Sequence, residues 1–584
     1  MSSRKRPGGT PSRGGDEPTP PSRKKRKSGP KKRRFRGNQY TRLAKMQEPE
    51  PTASTSAATE GGSAIPSTST QDSSAEPTGY RLMDIEVLSA FVKTFPCRSD
   101  GCGCNDYAVV EKRIGLSFSL VFTCKACGAD FKLSNTKEEN VNVRFSVSIF
   151  SIGGHYEKGK KFLANMNMPP PVSAESFGKY RDKIADASES IARDSMAQAA
   201  SEYSAAVGED DVAVSCDGTW QKRGFVSKNG VATVLSGGVG GRAKVLDVHV
   251  SSNHCDACLK AKKRHHGEAY QTWYEDHKKK CSKNHEGTSG AMEPQGMLKI
   301  FRRSQERYGL KYTKYLGDGD SKSFHAVSSA TPPVYDEPIE KLECCGHVQK
   351  RMGKKLMDKV SENKNKEFTE GGTTYRGIGG KARLTQNAIK IIQGHYGAAI
   401  RGNVGNKEKM KKAIWAIWKH RGKIHDDCGS WCPAQQGDLD KANEHSFPNF
   451  VLQIIKPVFE ELSSDKLLDK CLHGGTQNVN ESFHSMIWQR CPKTIFVGRR
   501  RLELAVYDAA IVMNDGEKGR LNVFSQLGLN VGDHMINAFE RFDSARKKGY
   551  RRQATETAKR GRKQRKLSRA SKKGRDTSYE AGAH

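Results

Sequence analysis

Val212-Ala213-Val214-Ser215-Cys216-Asp217-Gly218 runs a short apolar stretch into a carboxylate, and Tyr312-Thr313-Lys314-Tyr315-Leu316-Gly317-Asp318 does so again. Val212–Ser215 and Tyr312–Leu316 have the pattern of short buried strands, and each gives out at an Asp followed by Gly. Between them, Gly230–Ser236 and Lys244–Ser251 read as two more strands, joined by the glycine-rich turn Gly237 to Gly241. Glu293–Tyr308 reads as a helix. Beyond Asp318 a helix starts near Ser321, and Lys341–Cys345 is a fifth strand.

Three strands, a helix, a strand, a helix and a strand is the order of an RNase H-like core. The expected fold class is therefore α/β with a mixed sheet. A third acid, Glu481, sits in Asn478-Val479-Asn480-Glu481-Ser482-Phe483-His484, which reads as the entry to a helix. An Asp beside Gly is ordinarily a turn residue; the ordered set of acids at strand ends is what singles out Asp217, Asp318 and Glu481. Phosphodiester chemistry needs hard oxygen ligands, and two Mg²⁺ or Mn²⁺ ions roughly 3.5–4 Å apart can serve the attacking and the leaving oxygen. Asp320 competes with Asp318 for the second place; Asp318 is nearer the strand end, and Asp320 suits the N-cap of the next helix.

The chain carries 15 cysteines. No apolar segment follows the basic start as in a secretory leader, so reduced thiols and metal ligation are expected rather than disulfides. Cys255-x2-Cys258 followed by His277-x3-Cys281 has the close pairs that tetrahedral Zn²⁺ takes, with His254, His265, His266 and His285 as alternative fourth ligands. This segment falls between the third strand and the helix at Glu293, as an insertion. In residues 97–127, Cys124-x2-Cys127 fits a zinc-ribbon knuckle, and Cys97 with Cys102 or Cys104 supplies the other pair. A looser set is His425, Cys428 and Cys432, with Cys471 and His473 further on. Cys344 and His347 either belong to a metal site or pack under the sheet. Cys216 and Cys491 read as small buried hydrophobes. Paired spacings suit ligation rather than a single poised thiolate, which argues against cysteine catalysis.

Only 35% of residues are hydrophobic, low for a chain folded throughout, and the net charge of +34 is unevenly spread. Residues 1–50 hold 16 Lys/Arg against 4 Asp/Glu, and residues 541–584 hold the same numbers. Such tails suit a polyanion, because Lys and Arg neutralise phosphates and release counterions. No apolar run approaches the length that spans a bilayer. Arg23-Lys24-Lys25-Arg26-Lys27 and Lys31-Lys32-Arg33-Arg34 form a two-part basic cluster of the nuclear-import kind, so a nuclear protein is expected.

The expected organisation is a disordered basic tail over 1–80, and a zinc-ribbon-like and helical region over 81–206. Within the latter, Asp84–Phe95 reads as a short amphipathic helix, Ile114–Phe122 as strand and 174–206 as helix. The core follows over 207–350 with its zinc insertion at about 252–290, then a mostly helical insertion over 351–470. The final catalytic helix region spans 471–515, with a helix near 499–514, and a disordered basic tail takes 516–584. Trp415 and Trp418 read as core residues.

The stretches CDGTWQKRG (216–224), NGVATV (229–234), KVLDVHV (244–250), GTSGAMEPQGM (287–297), YTKYLGDGDSKSF (312–324), KLECCGHVQKRMG (341–353) and GGTQNVNESFHSMIWQRCPK (474–493) resemble the Mutator-like transposase domain of animal transposable elements. The resemblance runs densely from about residue 90 to 510. It implies an RNase H-like fold with a DDE triad, in which Asp217, Asp318 and Glu481 are the first, second and third acids. It also implies a Cys-x-x-His pair between the second and third, here Cys344 to His347. The implied activity is metal-dependent cleavage and transfer of DNA strands, with two Mg²⁺ or Mn²⁺ ions, structural Zn²⁺, and duplex DNA (terminal repeats and target) as partner. A homo-oligomer is expected by analogy with transposases in general. The competing expectation is a domesticated or inactive relative that binds DNA through zinc modules and basic tails without catalysis.

Overall fold

The computed structural model describes residues 79–565, apart from 137–139, 223–225, 238–242, 320–321, 556, 559 and 563. The basic cluster Arg23–Arg34 and the alternative acid Asp320 lie outside the described residues. Helix α1 (Ile85–Val92) starts at Asp84, whose carboxylate accepts the Glu86 N–H and so serves one of the helix's unpaired donors. It leads into an antiparallel meander of β1 (Tyr107–Ile114), β2 (Ser117–Cys124) and β3 (Asp130–Ser134). The apolar run Ile114–Phe122 is thus divided by a turn between β1 and β2. In the middle strand, Leu120, Phe122 and Cys124 alternate into the interior, as period-2 side chains must. Phe122 stacks on Phe131 at 4.7 Å, and Tyr107 meets both rings edge-on.

Helices α2 (Val141–Ser151), α3 (Tyr156–Asn165) and α4 (Ala174–Val207) follow. The Ser173 hydroxyl caps α4 by accepting the Ser176 N–H, and Gly208 at φ +80° ends it. Ala185, Ala192, Ala199 and Ala200 make its buried side narrow.

A five-stranded mixed sheet has the order β6-β5-β4-β7-β8, from β4 (Asp211–Trp220), β5 (Asn229–Ser236), β6 (Val245–Ser252), β7 (Lys311–Gly317) and β8 (Glu340–Glu343). The pairs β4–β5 and β5–β6 are antiparallel, whereas β4–β7 and β7–β8 are parallel. Between β6 and β7 come α5 (Asp256–Arg264), α6 (Glu268–Lys278) and α7 (Met292–Tyr308). Helix α8 (Lys322–Ser328) joins β7 to β8, and α9 (Cys345–Glu362) leaves β8. All five strands read from the sequence are present, with β4 running past Asp217 to Trp220.

A hairpin, β9 (Glu367–Glu370) and β10 (Thr373–Arg376), precedes α10 (Gln386–Arg401), α11 (Lys407–Arg421), α12 (Leu439–Asn443), α13 (Asn449–Leu462) and α14 (Asp465–Asp469). With α9 these helices enclose their own core around Met352, Ile392, Tyr396, Ile414 and Phe459. Trp415 and Trp418 are partly buried against it, and Trp418 Nε1 donates to Leu452 O at 3.1 Å. The chain then returns to the sheet with α15 (Asn478–Arg490) and α16 (Arg499–Asn514).

The sheet is covered on both faces, and β5 is buried along its whole length. Val231 and Leu235 join Ile184 and Ala192 of α4 and Leu504 and Ala509 of α16 on one face. Ala232 and Val234 join Met297, Ile300 and Phe301 of α7 on the other. Burying a side chain the size of Phe301 contributes about 1.5–3 kcal/mol. Helix α7 is pinned to β6 as well: Arg303 Nε and Nη2 donate to the two oxygens of buried Asp247 at 2.7 and 2.6 Å.

The C-terminal expectation needs correction. Composition predicts irregular chain over 516–584, yet residues 516–554 hold α17 (Arg520–Gln526) and the 22-residue α18 (Asp533–Ala554). The high charge hides what fastens them: Asp543 is buried and accepts the Glu517 and Lys518 N–H groups at 3.0 and 3.2 Å. A Cβ at Gly516 (φ +91°) would collide with that carboxylate. Among the described residues no helix is long and apolar enough to cross a membrane.

Candidate active site and metal-binding groups

Ser215 pairs with Leu316 across the parallel strands β4 and β7. Two residues on, both chains reach an acid, Asp217 and Asp318, and each accepts the N–H of the glycine that follows it, at 2.9 and 2.7 Å. Both acids line one cleft of about 390 Å³, with Glu293, Lys322, Ser323 and Gln477. Glu293 stands in the first turn of α7 and enters the cleft because Gly218 has no side chain: a Cβ there would lie 2.3 Å from Glu293 Oε2. Ser323 donates to the other oxygen, Oε1, at 2.8 Å. Trp220 Nε1 donates to Ser289 O at 2.8 Å, which holds the end of β4 against the approach to α7.

Helix α15 is fixed to the opposite side of β4. Ser215 Oγ donates to Asn480 Oδ1 at 2.5 Å, and Asn480 Nδ2 donates to Ser215 O at 3.1 Å. Just before α15, Gln477 Nε2 donates to Cys216 O at 2.6 Å. Glu481 follows Asn480 and is exposed, close enough for its charge to act on Asp217. One turn later His484 Nε2 lies 3.0 Å from Thr233 Oγ1, and Nδ1 lies 3.7 Å from Asp217 Oδ2.

This crowding sets the electrostatics. Asp217 is pushed up to about 7, first by burial and then by the Glu293 charge; the Gly218 N–H and His347 oppose the rise, and Glu481 adds to it. Burial also raises Glu293, against the Ser323 hydrogen bond and with help from Asp318. His484 is lowered to about 3 by burial, with Lys493 adding, so it is neutral. His347 is raised, first by its hydrogen bond to Cys344, with burial opposing and the charges of Cys344 and Asp318 adding.

Three Cys/His groups each bring four ligand atoms within 4.8 Å of one another. A tetrahedron with Zn–S near 2.3 Å and Zn–N near 2.0–2.1 Å has edges of about 3.3–3.8 Å; the first two groups fall in that range, and the third spans 3.0–3.9 Å. In the N-terminal group, Cys97–Cys127 and Cys102–Cys124 are both 3.6 Å apart. Cys104 is left out, its sulfur instead accepting the Asp106 N–H. In the insertion, Cys255–His277 Nε2 is 3.3 Å and Cys258–Cys281 is 3.5 Å, with Trp273 stacked on His277. The alternative ligands are engaged elsewhere or lie outside the group: His254 pairs with Asp256 and His285 with Thr288 O.

The third group differs from the expected set. His420, at the end of α11, joins His425, Cys428 and Cys432. Cys432 Sγ is 3.4 Å from His420 Nδ1 and 3.5 Å from His425 Nδ1, and the two Nδ1 atoms are 3.0 Å apart. Asn443 Oδ1 faces His425 Nε2 at 3.0 Å, which sets Nε2 as the donor and leaves Nδ1 to ligate. Cys471 and His473 do not take part. His473 Nε2 reaches Glu343 O and Lys470 O, and Cys471 O accepts from Cys345.

Cys344 and His347 also stand apart from the three groups. Cys344 packs under the sheet with Leu316 and Leu342, its sulfur accepting the Gln477 N–H at 3.4 Å, while His347 turns to Asp318 at 3.6 Å. Cys216 and Cys491 are buried as expected. Sequence reasoning alone misses Glu293, Gln477 and His420. An acid in a first helical turn suits the helix dipole and draws no notice; a histidine in a last turn is equally ordinary.

Residues 79–432 match the family model described as Mutator-like transposase. That span contains Asp217, Glu293, Asp318 and all three Cys/His groups, and ends before Glu481. No curated protein matches the chain.

Proposed function

Because the chain belongs to the Mutator-like transposase family, we propose that it is a DDE transposase, which cuts a DNA strand at the element end and joins the freed 3′-hydroxyl to target DNA. The sheet order β6-β5-β4-β7-β8, three strands antiparallel and the last two parallel to β4, supports an RNase H-like core. The observation that carries the reading is the strand pair β4–β7, which sets Asp217 and Asp318 side by side at one cleft. Glu481 is the third acid, on the helix that Asn480 and Gln477 fasten to β4.

The donor set fits a hard divalent cation. Carboxylates are the ligands Mg²⁺ and Mn²⁺ prefer, and these ones repel each other where they stand. The buried Gln477 Oε1, at the same cleft, has no hydrogen-bond partner. Asp217, Asp318 and Glu481 would hold Mg²⁺ or Mn²⁺, two ions in the reading proposed. Bound there, the ions supply an activated oxygen nucleophile and stabilise the charge on the leaving oxygen. The residues of the chain do the positioning. Lys322 at the cleft offers a cation to the phosphate. His347 steadies Asp318, and neutral His484 steadies Asp217 without competing for its charge.

Family membership implies DNA binding. The three Cys/His groups are read as structural Zn²⁺ sites, and the basic ends as phosphate-binding segments. Two DNA ends must be brought together, which calls for at least a dimer. The cluster Arg23–Arg34 is assigned to nuclear import.

The test is nicking of terminal-repeat DNA in Mg²⁺ or Mn²⁺. The reading requires cation-dependent nicking that Asp217→Ala abolishes. Nicking that survives the substitution defeats it. Specific binding without nicking by the wild-type chain favours a domesticated DNA-binding protein.

A further inference from the structure

Glu293 is not one of the three acids, yet it reaches the same cleft. Its helix is held by the Arg303–Asp247 pair and by Gly296, where a Cβ would come within 2.9 Å of Ala232 Cβ. Its carboxylate is brought against β4 at Gly218 and oriented by Ser323. Among the described residues no Lys or Arg forms an ion pair with it. An acid serving the helix dipole alone would sit in water, where its charge is hydrated. This one is partly buried beside Asp217 and Asp318, an arrangement that costs free energy unless a cation joins it.

A second observation is independent of the acids. Gln477 is only 2% exposed, and its amide is oriented by the hydrogen bond from Nε2 to Cys216 O. Its carbonyl oxygen lacks a partner and the residue lines the cleft. Leaving a buried carbonyl unpaired is unfavourable, and a carbonyl oxygen is an accepted ligand for hard cations.

We propose that Glu293 is a fourth carboxylate ligand of the divalent-cation site, with the Gln477 carbonyl oxygen as a neutral donor on the other side of Asp217. The site is then built from β4, β7, α7 and the approach to α15, so α7 is part of the cation-binding apparatus. This rests on the transposase reading of the cleft.

The experiment is Mn²⁺ binding to the full-length zinc-loaded protein, followed by electron paramagnetic resonance of free Mn²⁺, without DNA. Wild type, Asp217→Asn and Glu293→Gln are compared. The glutamine is isosteric and can still accept from Ser323. The expected result is an affinity lowered about 10- to 100-fold in E293Q, with a melting temperature no lower than that of wild type. An E293Q affinity within twofold of wild type, while D217N binds poorly, overturns the proposal and leaves the transposase reading intact. Absence of Mn²⁺ binding by the wild-type chain counts against both. Should E293Q fail to fold, Glu293→Asp, which draws the carboxylate back by one methylene, replaces it. An unchanged affinity there also refutes the fourth ligand.

Discussion

Asp217 and Asp318 each stand two positions past the same point on two parallel strands, fixed by the pairing of Ser215 with Leu316. The relation is set by backbone hydrogen bonds and does not depend on either side chain. Asp217→Asn and Asp318→Asn should therefore leave the fold intact and reduce cation-dependent nicking on the order of 1,000-fold.

The same geometry gives a pH signature. Asp217 is raised to about 7 from an ordinary value of 3.8, so the folded state holds its proton more tightly than the unfolded chain does. Its contribution turns unfavourable as pH rises between those values, and is absent below them. Without added Mg²⁺ or Mn²⁺, Asp217→Asn should melt higher than wild type at pH 8 and show no such gain near pH 4. A melting temperature that drops at pH 8 would contradict this.

Three Cys/His groups each gather four ligand atoms within 4.8 Å of one another, so the purified full-length chain should carry three zinc ions, measured by elemental analysis. His420→Ala and Cys432→Ser should each remove one, and Cys104→Ser none. A content of two that His420→Ala leaves unchanged would exclude the third group.

Asp508 on α16 is held between Arg490 and Arg520. Burial alone would raise its carboxyl, but the two guanidinium groups outweigh it and hold the group below its usual range. The stabilisation is present above the unfolded value near 3.8 and is lost as pH falls through the lower, folded value. Asp508→Asn should cost about 3–5 kcal/mol at neutral pH, because buried Arg490 loses its carboxylate and Arg520 keeps only Glu517. Urea unfolding at pH 7 measures this, and the wild-type advantage should shrink only in strong acid.

The basic C-terminus divides at about residue 555. Asp543 and Arg546 hold α18 to the loop at 516–518 and to Val512 O, so cutting at 541 would damage the fold. Truncation after Thr555 removes ten Lys/Arg between 559 and 575. It should leave the melting temperature unchanged and flatten the salt dependence of DNA binding, by about 0.9 in log–log slope for each phosphate no longer neutralised. An identical slope would show that this segment does not touch DNA.

The strands can be read in advance because short apolar runs such as Val212–Ser215 and Tyr312–Leu316 have few uses other than a buried strand. Acids at strand ends are legible because local pattern and position coincide there. Glu293 and Gln477 are not, since each acquires meaning only from a neighbour brought by the fold: Gly218 for one, Cys216 O for the other. His420 is separated from His425 by four residues, a spacing zinc ligands take, but its place inside a helix masks it. Helix α18 is obscured by its own charge, which masks the few residues, Asp543 among them, that dock it.

The bond between Ser215 and Asn480 joins positions 265 residues apart, across the whole helical body of α9 to α14. A ribosome must therefore make everything through α15 before that helix can close on β4, and pairings this distant along the chain are slow to form. Fragments that stop before α15 would keep Asp217 and Asp318 but lack Asn480 and Glu481. If the chain cuts DNA as proposed, a host cell would meet that activity only from chains translated through α15.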